Sequence, residues 1–189
     1  MLYPEGVSVD GRTGEVSPAT DRYTKTLTDL RGFFRDSARL DEIVATQGEV
    51  PVYEVIGYRK AESDLSFGTT IMSPGKVGDE YFMTRGHFHV RRDRGEVYYT
   101  QSGEGLLLLE SRDGDTRVVE MKPGICAFIP PDWAHRSINT GPEKLVFTWF
   151  CATDAGHEYG EIQERGMRKL VVDRGGEPLV APNPNFTGR

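Results

Sequence analysis

Four histidines occur in the chain, at positions 87, 89, 135 and 157. His87 and His89 form a His-x-His pair. On a strand, side chains two apart leave the same face, so both imidazoles can reach one point. Glu96 follows at the start of the next strand pattern. If 90–95 (VRRDRG) is a loop, the hairpin returns Glu96 towards the pair. His135 lies after a Gly-rich turn and a double proline. Three imidazoles and one carboxylate suit a borderline divalent metal such as Fe, Mn, Ni, Co or Zn. Such a set leaves coordination positions open to substrate, the catalytic pattern and not the closed structural one. Any one of these histidines alone reads more simply as a surface or hydrogen-bonded residue.

The elements that must position them are mostly short strands. The first twenty residues read as an extended arm or a short hairpin turning near Asp10-Gly11. A helix over 39–46 follows, with Leu40, Ile43 and Val44 on one face, Asp36 or Ser37 as its cap, and Gly48 and Pro51 as its stop. From Pro51 onward, strands are expected at 52–58, 65–71, 96–102, 106–110, 116–121, 125–129, 135–139 and 145–152, with 81–90 extended. Asp113-Gly114 signals a hairpin. This pattern predicts an all-β sandwich or barrel. The tail over 175–189 reads as a loosely packed arm.

Composition narrows the classes. The 189 residues, 37% of them hydrophobic, allow one sizeable core and not two full domains. The net charge of -6 disfavours nucleic acid and anionic membrane as partners. The longest aliphatic run, 106–109, is far too short to span a bilayer, and the N-terminus lacks a secretory signal pattern. Cys126 and Cys151, the only cysteines, both sit in apolar runs. They read as buried thiols in a reducing compartment, with the cytoplasm as the expected location.

The spacing resembles the two cupin motifs, Gly-x5-His-x-His-x(3–4)-Glu-x6-Gly and Gly-x5-Pro-x-Gly-x2-His-x3-Asn. His87, His89, Glu96 and Gly103 match the first. Gly124, Pro130, His135 and Asn139 match the second. Tyr81 stands where the leading Gly is expected, six residues separate His89 from Glu96, and Asp132 replaces the second motif's inner Gly. The runs FGTTIMSPGKVGDEYFMTRGHFHV, RGEVYYTQSGEG, IPPDWAHRSIN and TDAGHEYG narrow the resemblance to the cupin-type glucose-6-phosphate isomerases of archaea and some bacteria. The longer loop before Glu96 is a feature of that subfamily. TLTDLRGFFRD and VYEVIGY extend the likeness over nearly the whole chain.

The resemblance implies a cupin jelly-roll barrel at 51–160, an N-terminal arm and short helix at 1–50, and a C-terminal strand or tail at 161–189 packed on the barrel. It implies a metal-dependent aldose–ketose isomerase acting between glucose 6-phosphate and fructose 6-phosphate. One divalent ion, Fe2+ before Mn2+, Ni2+, Co2+ or Zn2+, would be held by His87, His89, Glu96 and His135. Glu96 would also be the base, with a metal-guided hydride shift as the competing mechanism. Tyr98, two residues on, shares the face of Glu96 and reads equally as a hydroxyl binder or a lining aromatic. The phosphate would be held by Thr70, Thr84, the Gly86 backbone, His157 and Tyr159. Thr69 and Thr70 cannot both face inwards, and the resemblance selects Thr70. Cys151 occupies a position where some relatives carry a tyrosine near the phosphate. By alternation Arg85 and Arg136 should face away from the metal, as solvated or interface charges. A homodimer is expected, with the N-terminal arm adding a strand to a partner. The rival classes are an oxygen-activating cupin and a non-catalytic sugar-binding cupin.

Overall fold

The computed structural model describes residues 3–188. The ends of the expected arm and tail, residues 1, 2 and 189, lie outside the described residues. The chain begins with a small hairpin, β1 (Ser8–Val9) and β2 (Val16–Ser17), then β3 (Asp21–Thr26), a single 3-10 turn (Thr28–Leu30) and α1 (Ser37–Gln47). The strands β4 (Pro51–Tyr58), β5 (Leu65–Met72), β6 (Lys76–Val77) and β7 (Glu80–Tyr81) follow. Next come β8 (Glu96–Ser102), β9 (Gly105–Ser111), β10 (Thr116–Met121), β11 (Cys126–Ile129), β12 (Trp133–Asn139) and β13 (Leu145–Ala152). The chain ends with α2 (Gly160–Arg165), β14 (Lys169–Arg174) and β15 (Glu177–Pro182).

Six strands form one antiparallel sheet in the order β11-β8-β13-β5-β4-β3, and a second sheet runs β10-β9-β12. The segment 82–89, continuing from β7, joins the second sheet through the pairs Met83↔Ile138 and His87↔His135. The two sheets face each other as a jelly roll. Residues alternate between its inside and outside, as the burial of β11 shows: Cys126 and Phe128 are exposed, Ala127 and Ile129 buried. Cys126 is therefore an exposed thiol and not the buried one expected, because strand parity and not local hydropathy sets its side. Cys151 is partly buried.

The inner face of the large sheet is graded. One row carries Tyr53, Met72 and Leu145, a purely packing layer. Two residues further along lie Val55, Thr70 and Phe147, then Gly57, Gly68, Trp149 and Tyr98, then Cys151 and Glu96. Apolar contacts thus close one end of the barrel, and polar groups gather at the other.

The helix obeys its expected signals. Asp36 accepts from Arg39 N at the N-terminus, and Gly48 ends α1 with φ 74°; Leu40 and Ile43 are buried. The N-terminal arm folds onto its own barrel instead of reaching outward. Val16 joins Ile56, Ile71 and Val146 in an outer apolar cluster, and Thr69 Oγ1 donates to Gly14 O. β3 went unread in the sequence, although Tyr23 and Lys25 alternate with Arg22, Thr24 and Thr26; it pairs with β4 at the sheet edge. Much of the tail is also ordered, as β15 pairs with β14 along its length. Among the described residues no helix is long and apolar enough to cross a membrane.

Candidate metal centre and substrate pocket

His87, His89, Glu96 and His135 offer ligand atoms that all lie within 4.8 Å of one another. Three elements bring them together. The segment 82–89 supplies the His-x-His pair, β8 begins with Glu96, and β12 pairs His135 directly with His87. His135 N donates to His87 O at 3.1 Å, and His87 N donates to His135 O at 3.3 Å. The loop at 90–95 is pinned from outside: Arg94 reaches Asp93 and Asp154, and Arg92 reaches Asp132. It turns the chain so that Glu96 Oε2 stands 3.3 Å from His89 Nε2 and 3.0 Å from His135 Nε2.

The ring nitrogens are already sorted by their outer partners. His89 Nδ1 lies 2.9 Å from Arg94 O, and His135 Nδ1 lies 3.2 Å from Trp133 O. A carbonyl accepts only from N–H, so each Nδ1 carries a proton and each Nε2 is left facing the Glu96 carboxylate. His87 Nε2 is buried without a hydrogen-bond partner. Burial, reinforced by the neighbouring imidazoles, holds His87 well below the usual histidine range, which keeps it neutral. Burial alone would raise the Glu96 carboxyl, but hydrogen bonds with His135 and His89 outweigh it and bring it down to about 2. Three imidazoles and an ionised carboxylate aimed at one point fit a divalent cation, which would take the place of the protons between the ring nitrogens and Glu96.

A pocket opens above this cluster. The strand after the barrel's last turn explains how: Phe88 and Glu158 exchange both backbone hydrogen bonds, at 3.1 and 2.8 Å. That pairing sets His157 and Tyr159 on the same side as His87. Their rings lie 4.4 and 5.3 Å from the His87 ring. Thr70, Thr84 and Gly86 line the same pocket, and Tyr98 packs between Phe147 and His135 at ring distances of 4.6 and 5.7 Å. His87 and Glu96 of the metal-competent cluster thus line a pocket that also carries threonine and tyrosine hydroxyls.

A family model described as "Glucose-6-phosphate isomerase (GPI)" matches residues 24–184. The chain belongs to the glucose-6-phosphate isomerase family. The glucose-6-phosphate isomerase of Pyrococcus abyssi is 44% identical over 97% of this chain and 97% of its own length. That of Thermococcus gammatolerans is 42% identical with the same coverage. Among solved structures, an oxalate oxidase is similar over 58% of this chain and 56% of that one, with 15% identity and a TM-score of 0.49. The isomerase is an all-β protein whose activity interconverts glucose 6-phosphate and fructose 6-phosphate.

The isomerase's pocket contains every sugar-phosphate residue expected from the sequence. Thr70 faces in and Thr69 faces out, as strand parity requires. Two expectations fail. Arg85 lines the pocket, and Arg136 is 5% exposed in the protein interior. Arg136 does face away from the metal cluster, but Phe33 and its neighbours cover it, whereas the departure of Arg85 follows from a bulge. Between Met83↔Ile138 and His87↔His135, three residues on one strand oppose two on the other. Gly86, with φ 74°, absorbs the extra residue and breaks the alternation. Arg136 Nη2 then donates to Arg85 O at 2.6 Å and braces the bulge from behind. Burial brings that guanidinium down to about 10 although Glu80 and Glu110 oppose the shift.

Asp132 explains its own departure from the motif. It has φ 63°, a left-handed conformation that a glycine adopts freely and an aspartate tolerates. Arg92 and Arg112 hold its carboxylate at 2.5–2.9 Å. Sequence reasoning missed Tyr23, Tyr53 and Arg59, which also line the pocket. The inward parity of Tyr53, Val55 and Gly57 along one strand was the available signal for Arg59.

Proposed function

We propose that the isomerase holds one Fe2+ ion through His87, His89, Glu96 and His135, with Mn2+, Ni2+, Co2+ or Zn2+ as substitutes. The observation that carries this reading is the convergence of these four ligand atoms, three of them with outward nitrogens or carboxylate contacts already assigned, at the end of the sugar pocket. A cation held there would supply Lewis acidity that acidifies the hydrogen beside the sugar's carbonyl. Glu96 takes the C2 proton of the aldose and returns it to C1 while the O2 hydroxyl proton passes to O1, giving the ketose. Tyr98 holds a sugar hydroxyl from the same face. Its phenol stays protonated, because burial and then the Glu96 charge push it well above the usual tyrosine range.

Thr70 and Thr84 hydroxyls, His157 and Tyr159 receive the phosphate. The Gly86 N–H joins them, since the bulge leaves it without a backbone acceptor among the described residues. Thr84 Oγ1 accepts from Ser137 N at 3.0 Å, which orients its own hydroxyl proton away from that bond and into the pocket.

A carboxylate beside a bound cation would be a weakened base. The competing reading is direct transfer of the C2 hydrogen to C1 as hydride. Isomerisation of C2-deuterated glucose 6-phosphate in water separates the two. Complete retention of deuterium in the product would remove Glu96 from the proton-transfer role. The metal assignment is tested by coupling fructose 6-phosphate turnover to a glucose-6-phosphate dehydrogenase. Chelation should abolish turnover and Fe2+ should restore it; full activity in metal-free enzyme would refute the assignment.

The isomerase acts in the cytoplasm as a homodimer. An exposed thiol at Cys126 suits a reducing compartment. An aromatic row crosses the outer face of the large sheet: Phe128 (66% exposed), Val97, Phe150 (46% exposed) and Phe67 lie side by side on β11, β8, β13 and β5. A second copy covering that row would remove it from water. Phe128→Ser with Phe150→Ser should halve the mass seen by light scattering, and an unchanged mass would exclude this surface.

A further inference from the structure

Arg59 lies inside the barrel for reasons visible in the chain. Tyr53, Val55 and Gly57 face inwards on β4, and Arg59 continues that parity just past its end. Gly57 pairs with Gly68 on β5, and Gly68 pairs with Trp149 on β13. Two bare glycines side by side leave a gap in the inner wall. The Trp149 indole and the Arg59 guanidinium fill it. A Cβ on Gly68 would collide with Trp149 Cζ2, and one on Gly57 with Arg59 Nη1.

The guanidinium is held on two sides. Its Cζ stands 4.3 Å from the Trp149 ring centroid, and Nη1 donates to Asp21 Oδ2. The Arg59 backbone N–H donates to Thr20 Oγ1 at 2.8 Å. Stacking occupies one face of the planar group and leaves on its edge the donors that Asp21 does not use. The side chain is 30% exposed, and it lines the pocket.

We propose that Arg59 is a substrate-binding and specificity residue, which with Arg85 takes the sugar's phosphate dianion between two guanidinium groups. This rests on the sugar-phosphate reading of the pocket. Among the described residues, Arg59 and Arg85 are the only arginine or lysine residues lining it. Threonine and tyrosine hydroxyls orient a phosphate but add no positive charge. A pocket that also holds the Glu96 carboxylate needs cations to admit a dianion. Arg85 Cζ lies 5.7 Å from the Tyr159 ring, which places it beside the phosphate-binding wall. A neutral sugar gains nothing from this pair, so Arg59 selects the phosphorylated substrate.

The test uses the metal-loaded full chain. Arg59→Met keeps the stem against Trp149 and removes the charge. Arg59→Lys keeps the charge and loses the planar fork. KM and kcat are measured with fructose 6-phosphate, and the affinity for inorganic phosphate by calorimetry. For Arg59→Met, KM should rise and phosphate affinity should fall together by about ten- to a hundredfold, as for loss of a charge-assisted hydrogen bond. The value of kcat should stay within about threefold, as expected when uniform binding is removed. Arg59→Lys should recover part of both losses. Melting temperature and bound metal should match the wild type. An unchanged KM and phosphate affinity would overturn the proposal. So would a loss of kcat and melting temperature with phosphate affinity intact, which marks a packing role. A wild type that binds phosphate through Arg59 but does not isomerise would sink the sugar-isomerase reading and keep the anion site. Binding of neither phosphate nor fructose 6-phosphate would sink both.

Discussion

Gly86 is the position where backbone strain and site geometry meet, and Gly86→Ala measures both. An alanine held at φ 74° costs about 1–2 kcal/mol in the left-handed region. Its Cβ would also stand 3.1 Å from Arg136 Nε, 3.3 Å from Arg136 Cβ and 3.4 Å from His135 O. Arg136 is tied to Arg85 O and buried, so it has little room to yield. Overpacking of that kind adds on the order of 1–2 kcal/mol, for a total of about 3. For a chain of this length that predicts a fall in melting temperature of roughly 6–12 °C. Escape by flattening the bulge is blocked, because a one-residue slip would turn His87 out of the site. Gly124→Ala is the control. Gly124 has φ 90° but nothing within 4 Å of a new Cβ, so it carries the conformational cost alone, about 1–2 kcal/mol. Calorimetry and steady-state turnover are the assays. Gly86→Ala should melt well below Gly124→Ala and lose about tenfold or more in kcat/KM for fructose 6-phosphate, as when a ligand-positioning backbone shifts. Equal melting of the two variants with wild-type turnover would refute the reasoning about the bulge.

Adjacent threonines should respond in opposite ways. Thr69→Val leaves Gly14 O without its donor, and should cost about 1–3 kcal/mol of stability with KM unchanged. Thr70→Val should raise KM for fructose 6-phosphate by about tenfold with little effect on melting. Thiol labelling at pH 8 should modify exposed Cys126 rapidly and spare Cys151, whose thiol burial pushes up to about 12, with the Glu96 charge adding to the shift. Because thiolate forms only near that pH, labelling of both at equal rates would contradict this assignment. At position 132, alanine should destabilise more than glycine by about 1 kcal/mol, since both lose the Arg92 and Arg112 contacts but only alanine keeps the left-handed strain.

The His-His-Glu-His cluster that could hold a metal was legible because its geometry is local. His87 and His89 share a face by strand period, a short loop returns Glu96, and His135 sits at a fixed interval from Gly124. Residues whose place depends on uninterrupted alternation were equally readable, such as Thr70 against Thr69 and Tyr98 beside Glu96. Strong turn and cap signals marked α1 through Asp36 and Gly48, and the hairpin at Asp113-Gly114.

What the sequence determined by itself was therefore the ligand set, the strand pattern and the family, since each rests on residue types at short spacing. The tertiary structure decided the rest. Arg85 entered the pocket because a bulge at Gly86 broke the two-residue period, and only pairing with β12 reveals that extra residue; Arg136 is buried because Phe33 and its neighbours pack over the outer face of β12. Arg59 became part of the site because Gly57, Gly68 and Trp149, from three strands distant in sequence, stand side by side in the sheet. The arm covers its own sheet because Thr69 and Ile71 offer it a hydroxyl and an apolar surface there. Periodicity reports what neighbours along the chain do; which strands lie beside one another, and where their register slips, is set by the balance of contacts across the whole barrel.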